Sequence, residues 1–252
     1  MSRLRAAGCV FAEDEALLLT SAARTAADLA AMVDRRAAGV PLEHVLGWAH
    51  FGGLRIAVEP PVFVPRRRTE FLVAQAAAVA PPRAVIVDLC CGSGAVGAAL
   101  LAALELVELH AVDIDPAAAR CARRNLAATG ARVYEGDLYD PLPAALRERV
   151  DVLVANAPYV PTEAVGLLPP EARVHEPRLA LDGGEDGLDV VRRVIGGAPA
   201  WLAGGGHLLV ETSRDQVPQT FAAVARVGLV PAVARSDALN ATVVIGTRPA
   251  PA

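Results

Sequence analysis

The sequence predicts an α/β domain built on a mostly parallel sheet, closed at one edge by an antiparallel hairpin. Two observations carry this. From Arg83 onward apolar strand-like runs alternate with helical stretches: AVIVDL, a helix from Gly94, ELHAVDI, a helix from Pro116, ARVYEG, VDVLVAN, a helix around Glu185 to Gly196, GGHLLVET and a helix around Val217 to Val227. Such alternation places parallel strands between two helical layers. The ending breaks the pattern, because LVPAVAR and ATVVIG follow the last helix with only SDALN between them, a spacing that fits a hairpin.

Ahead of this unit, Ala12 to about Arg36 reads as a helix or helix pair, with Leu17, Leu18, Ala22, Leu29, Met32 and Val33 on one side. Gly39-Val40-Pro41 stops it. HFGGLRIAVEPPVFVP then alternates as a short hairpin, a helix starts near Thr69, and Pro81-Pro82 marks the main internal boundary. The organisation expected is a small helical region over 1–50, a hairpin linker and connecting helix over 51–82, and the α/β domain over 83–248, followed by a frayed PAPA tail.

A formal charge of −4 argues against a protein that coats nucleic acid. All 24 basic residues are arginine, a bias without chemical meaning here. The N-terminus has no sustained apolar segment, since Glu13, Asp14 and Glu15 interrupt it, and no later run is long enough to cross a membrane. A cytoplasmic protein without membrane attachment is the expectation. The four cysteines form no CxxC pair and the five histidines lack ligand spacing, so reduced thiols and no metal are expected.

The densest chemical signal is Val87-Asp88-Leu89-Cys90-Cys91-Gly92-Ser93-Gly94-Ala95-Val96-Gly97, a strand running through a glycine turn into a helix. Such a turn lets a nucleotide approach the backbone and the free N–H groups of the helix start. Gly92, Gly94 and Gly97 also fit the GxGxxG spacing of dinucleotide sites, with Asp113 near the ribose-binding distance. Two features favour S-adenosylmethionine over a dinucleotide. Asp88 faces a diphosphate unfavourably but suits the ammonium of a methionine moiety, directly or through water. Asn156-Ala157-Pro158-Tyr159 follows the strand VDVLVA, and hydride transfer has no use for it. Asp113 is placed to accept from both ribose hydroxyls, and Asp115 to cap the helix that Pro116 begins. Asp137, beside Leu138, is placed to take the adenine amino group.

With these residues in view, the chain resembles the class I S-adenosylmethionine-dependent methyltransferases, and within them the HemK-type protein glutamine methyltransferases that modify peptide-chain release factors. The resemblance spans roughly Gly39 to Gly246 and rests on GVPLEHVLGWAHFGGLRIAVEPPVFVPRRRTEFLV, DLCCGSG, AVDID, GDLYD, NAPYVP, HEPRLALDGGEDGLDVVRRVI and GGHLLVETSRDQ. It implies a Rossmann-like sheet, the cofactor S-adenosylmethionine and a protein substrate, with release factor the leading candidate. Asn156 Oδ1 and the Ala157 carbonyl would accept the two N–H bonds of the target amide, Pro158 would fix the turn and Tyr159 would stack on the amide plane. The cofactor shell implied comprises Phe63, Pro65, Asp88, Cys90, Gly92, Gly94, Asp113, Ile114, Asp137, Leu138 and Asn156.

The sequence departs from the family in three places. Ala157 stands where proline is usual, Arg66-Arg67-Arg68 replaces a segment of proline and acid, and fewer than 40 residues precede Gly39, where a longer helical domain is usual. Two other readings stay open. One is methylation of a nucleic-acid base or a small amide or amine, to which the arginine run would contribute; the other is a cofactor-binding module without catalysis. Glu211 ends a strand on the expected active face, as structural anchor or as support for the site.

Overall fold

The computed structural model describes residues 1–250; the final two residues of the tail expected to fray lie outside them. Four short helices come first: α1 (Ser2–Ala6), α2 (Ala12–Ala22), α3 (Ala26–Ala37) and α4 (Leu42–Leu46). The stretch read as a helix or helix pair is a pair. Ala23 turns extended, and the Thr25 hydroxyl accepts the Asp28 N–H at 3.1 Å to cap α3. Leu4, Ala12, Leu19 and Val45 form a separate small core. A buried two-pronged pair ties α2 to α3, with Arg36 Nε and Nη2 at 2.7 and 3.0 Å from the Glu15 carboxylate.

A two-stranded hairpin, β1 (Trp48–Phe51) and β2 (Leu54–Ala57), leads to α5 (Glu70–Val79). Phe51, Ile56, Val58, Val62 and Val64 bury their side chains in the same core as α5 and the two helices after it, so this stretch packs against the sheet's helical layer. The remaining elements are β3 (Val85–Leu89), α6 (Ala95–Ala103), β4 (Glu108–Asp113), α7 (Pro116–Leu126), β5 (Arg132–Glu135), β6 (Val150–Ala155), α8 (Pro170–His175), α9 (Asp189–Gly197), β7 (Leu202–Glu211), α10 (Val217–Arg226), β8 (Val230–Ser236) and β9 (Ala241–Thr247).

The main sheet has seven strands in the order β5-β4-β3-β6-β7-β9-β8. Those from β5 to β7 are parallel, β9 runs antiparallel to β7 and β8 antiparallel to β9, forming the edge hairpin. Alternate residues of the central strands serve the two helical layers, as the period-2 geometry of a strand requires. Ile86, Val152, Val154 and Leu209 face α5, α6 and α7, whereas Val87, Leu89, Leu153, Leu208 and Val210 face α9 and α10. The strand order reverses direction between β3 and β6, and ligands of open parallel sheets bind beyond the strand carboxyl ends at such a point. Among the described residues no helix is long and apolar enough to cross a membrane.

Candidate active site

At that switch point the carboxyl ends of β3, β4, β5 and β6 surround an open cavity. After β3 the chain passes through Cys90, Gly92 and Gly94, all with positive φ (56°, 56° and 75°). This left-handed run folds the strand back on itself so that α6 starts beneath the cavity. A Cβ on Gly92 would meet nothing within 4 Å, so its backbone faces open space that a ligand can fill. Cys90 and Gly92 line the cavity. Burial pushes the Cys90 thiol up, which keeps it protonated and unreactive.

From β4 come Asp113, Ile114 and Asp115. Asp113 Oδ2 accepts the Gly92 N–H at 2.8 Å and Oδ1 the Asp115 N–H at 2.9 Å, so this carboxylate shapes the glycine turn as well as presenting lone pairs to the cavity. Desolvation raises its pKa and those two N–H donors oppose the rise. Asp115 caps α7 by accepting the Ala117 N–H at 2.8 Å, with Pro116 in the first turn. From β5 come Asp137 and Leu138, and Asp137 is held by Arg193 of α9 at 2.7 Å. Ile114, Leu138 and Val190 supply apolar walls of the same cavity.

Two residues expected in the cofactor shell are not brought to the cavity wall. Asp88 does not line the cavity. It is buried one layer below, where Oδ2 accepts the Gly97 N–H at 3.0 Å, and desolvation pushes its pKa up to about 7. Gly94 faces away from the cavity as well. A Cβ there would meet Ala122 Cβ at 3.1 Å, so this glycine lets α6 and α7 approach each other. Pro65 lies in a smaller adjoining hollow with Phe63, Thr69, Cys91 and Asn156, whereas Phe63 borders both spaces.

Asn156, Ala157, Pro158 and Tyr159 leave β6 along the cavity wall, next to the glycine turn that follows the neighbouring strand β3. Asn156 Nδ2 donates to Thr69 Oγ1 at 3.2 Å, which leaves Oδ1 unpaired with any protein donor among the described residues. The Tyr159 hydroxyl donates to Glu211 Oε1 at 3.3 Å, and burial beside that carboxylate pushes the phenol up to about 12, so it stays a donor. Behind the motif, Gln216 Nε2 donates to the Tyr159 carbonyl at 2.9 Å and to the Asp186 carbonyl at 3.1 Å. Val160 pairs with 181–183 through its N–H to the Leu181 carbonyl at 3.0 Å and its carbonyl from the Gly183 N–H at 2.8 Å.

Two members of the arginine run are drawn into ion pairs with buried carboxylates. Arg66 pairs with the fully buried Glu176 carboxylate at 2.5 Å, which also accepts the Val64 N–H at 3.1 Å. Arg68 borders the cavity, with Nε 3.3 Å from Glu211 and its guanidinium 5.8 Å from the Tyr159 ring centre. Sequence reasoning assigned no role to Thr69, Glu176, Arg193 or Gln216. Each acts through a partner distant in sequence, and the sole local hint was their place inside the stretches that carry the resemblance.

Residues 59–168 match the family model described as a methyltransferase small domain. The chain is 39% identical over 219 residues to the release factor glutamine methyltransferase of Geobacter sulfurreducens, covering 86% of this chain and 76% of that protein. It is 40% identical over 197 residues to the enzyme of the same name from Streptomyces coelicolor, covering 75% and 70%. Among solved structures, the T. thermophilus 16S rRNA N2 G1207 methyltransferase in complex with AdoMet and guanosine superposes with a TM-score of 0.57 at 19% identity, over 80% of this chain and 49% of that one. The ribosomal protein L11 methylase of Lactobacillus delbrueckii gives 0.54 at 16% identity, over 77% and 85%. At such identities these two establish a shared fold and nothing finer. The sequence relatives establish more: by its match to most of the Geobacter protein, this chain is a methyltransferase belonging to the release factor glutamine methyltransferase family.

Proposed function

We propose that this protein transfers the methyl group of S-adenosylmethionine to the side-chain amide nitrogen of a glutamine in a protein, with a peptide-chain release factor as the substrate. The observation that carries the reading is Asn156: its Nδ2 is tied back to Thr69, and its Oδ1 is left without a protein donor at the cavity wall.

When bound, S-adenosylmethionine supplies a methyl group made electrophilic by its sulfonium. The residues present suit it: a backbone turn open at Gly92, carboxylates at Asp113 and Asp137 for ribose hydroxyls and an exocyclic amine, and Ile114 and Leu138 as apolar cover for a ring. Asp88 acts from beneath, where its carboxyl accepts the Gly97 N–H and holds the start of α6, while Phe63 and Pro65 close the other side. A target amide has its lone pair delocalised, so alignment matters more than a strong base. Asn156 Oδ1 and the Ala157 carbonyl accept its two N–H bonds and stabilise the positive charge that grows on nitrogen as the new C–N bond forms. The surplus proton then leaves to water. Ala157 in place of proline leaves that carbonyl available, because Pro158 and the Gln216 bond to Tyr159 hold the turn.

Neither alternative gains support. Arg66 and Arg68 are engaged by buried carboxylates, which leaves Arg67 as the member of the run without an ion pair among the described residues and depletes the basic patch a nucleic-acid substrate would need. The test is methyl transfer from labelled S-adenosylmethionine to the purified release factors, alongside versions whose Gly-Gly-Gln glutamine is alanine. Label on the native proteins alone is the expected result; no label despite measured cofactor binding refutes the substrate.

A further inference from the structure

We propose that Arg68 is a substrate-binding residue that grips a main-chain carbonyl beside the target glutamine through the unused edge of its guanidinium. This deepens the preceding section and rests on its reading of a protein glutamine as the methyl acceptor.

Arg68 falls in the run where the chain departs from its family, and it borders the cavity together with Asn156 and Tyr159. A guanidinium is a planar fork with five N–H donors and no acceptor, so each edge seeks an oxygen. Arg68 spends one donor on the protein: Nε lies 3.3 Å from Glu211 Oε1, while Nη1 and Nη2 donate to no protein acceptor among the described residues. The Arg68 side chain is 45% exposed, whereas the Glu211 side chain that holds it is 2% exposed. The unused donors therefore belong to the open end of a side chain whose inner end is fixed.

Glu211 also sets where that open end stands. The same Oε1 accepts from the Tyr159 hydroxyl at 3.3 Å, and the Arg68 guanidinium is 5.8 Å from the Tyr159 ring centre. The free edge thus lies beside the ring on which the target amide stacks. The main-chain carbonyl oxygens of a glutamine lie about 5–7 Å from its side-chain amide, a span of the same order as this offset.

Charge selects the kind of acceptor. The buried Glu211 carboxylate neutralises Arg68, so the pair suits a neutral oxygen and gives a second carboxylate little net attraction. The same neutralisation keeps the guanidinium from opposing the positive charge that grows on the amide nitrogen. A glutamine preceded by two glycines has no side-chain acceptor on that side, which leaves main-chain carbonyl oxygens within reach.

The test is steady-state methyl transfer to release factor by the full-length protein. Arg68→Gln should raise KM for release factor about tenfold or more, leave the affinity for S-adenosylmethionine unchanged, and do so equally at low and high salt. Arg68→Lys keeps the charge but cannot serve Glu211 and the substrate at once, and should recover little of the loss. Because Arg68→Gln also disturbs Glu211, the substrate is altered too. Release factor assembled by ligation, with an ester replacing the peptide bond before or after the glutamine, has one main-chain carbonyl weakened at a time. At one of these positions the ester should cost the wild-type enzyme several-fold in kcat/KM and cost Arg68→Gln little more. Equal ester losses in both enzymes, an unchanged KM in Arg68→Gln, full recovery by Arg68→Lys, or a loss that salt abolishes overturns the proposal and leaves the glutamine reading standing. A wild-type enzyme that places no label on release factor refutes both.

Discussion

Gly187 is the position where one added methyl group should separate site geometry from cofactor binding. It lies in the loop before α9 with φ +78°, and a Cβ there would sit 2.4 Å from the Tyr159 carbonyl oxygen and 2.5 Å from Gln216 Nε2. Gly187→Ala must therefore push that carbonyl back by about 1 Å to reach ordinary contact, and must break the bond from Gln216. Left-handed strain and the lost hydrogen bond together cost about 2–3 kcal/mol. For a domain of this size that lowers Tm by about 5–10 °C. A displacement of that size next to the reacting amide costs about 10²-fold in kcat. Gly205→Ala is the control, since φ is +82° there but a Cβ meets nothing within 4 Å. It should lose stability through backbone strain and keep its turnover. The assays are thermal unfolding and methyl transfer under saturating cofactor. Gly187→Ala with kcat close to wild type would show that the loop before α9 does not hold the Asn156–Tyr159 motif.

Asn156→Ala should cut turnover by about 10² or more and leave cofactor affinity alone, whereas Asp113→Ala should weaken cofactor binding first; calorimetric titration beside the kinetics distinguishes them, and the reverse pattern sinks the assignment. Asp88 has its pKa raised from 3.8 to about 7 by burial, so the folded state favours the protonated acid. That contribution is complete below the unfolded pKa and is lost as pH rises through about 7, amounting to about 4 kcal/mol at most. Wild-type stability in urea should thus decline from pH 4 to 7 relative to Asp88→Asn, which keeps an acceptor for the Gly97 N–H; parallel curves would contradict it. Arg36→Ala strands the buried Glu15 carboxylate and should destabilise the N-terminal helices by about 3–5 kcal/mol, seen as rapid proteolysis within residues 1–46, and an unchanged digestion pattern would argue otherwise.

Much of the fold was legible because strands buried on both faces must be almost wholly apolar, as β3 and β6 are with a single aspartate each. The antiparallel edge followed from a loop too short for a crossover, and the Asp115-Pro116 start of α7 from capping chemistry alone. The helix expected from about Glu185 begins instead at Asp189, because the glycines at 183 and 187 are taken up in packing against Pro158 and Tyr159. Periodicity could not reveal that, since the neighbour that enforces it lies elsewhere in the chain.

The sequence alone determined the order of strands and helices, the glycine turn with its carboxylates, and the Asn-Ala-Pro-Tyr motif, because each depends on residues close together in the chain. Only the tertiary structure decided which polar groups meet. It put Asp88 under the turn and not in the cavity, used Gly94 to bring two helices together, and joined Arg66 to Glu176 and Arg68 to Glu211 across 110 and 143 residues. Local spacing carries the first kind of information because backbone geometry has short periods. The second kind depends on how a buried charge or amide finds its partner, and that is settled when the sheet brings the strand ends to one place.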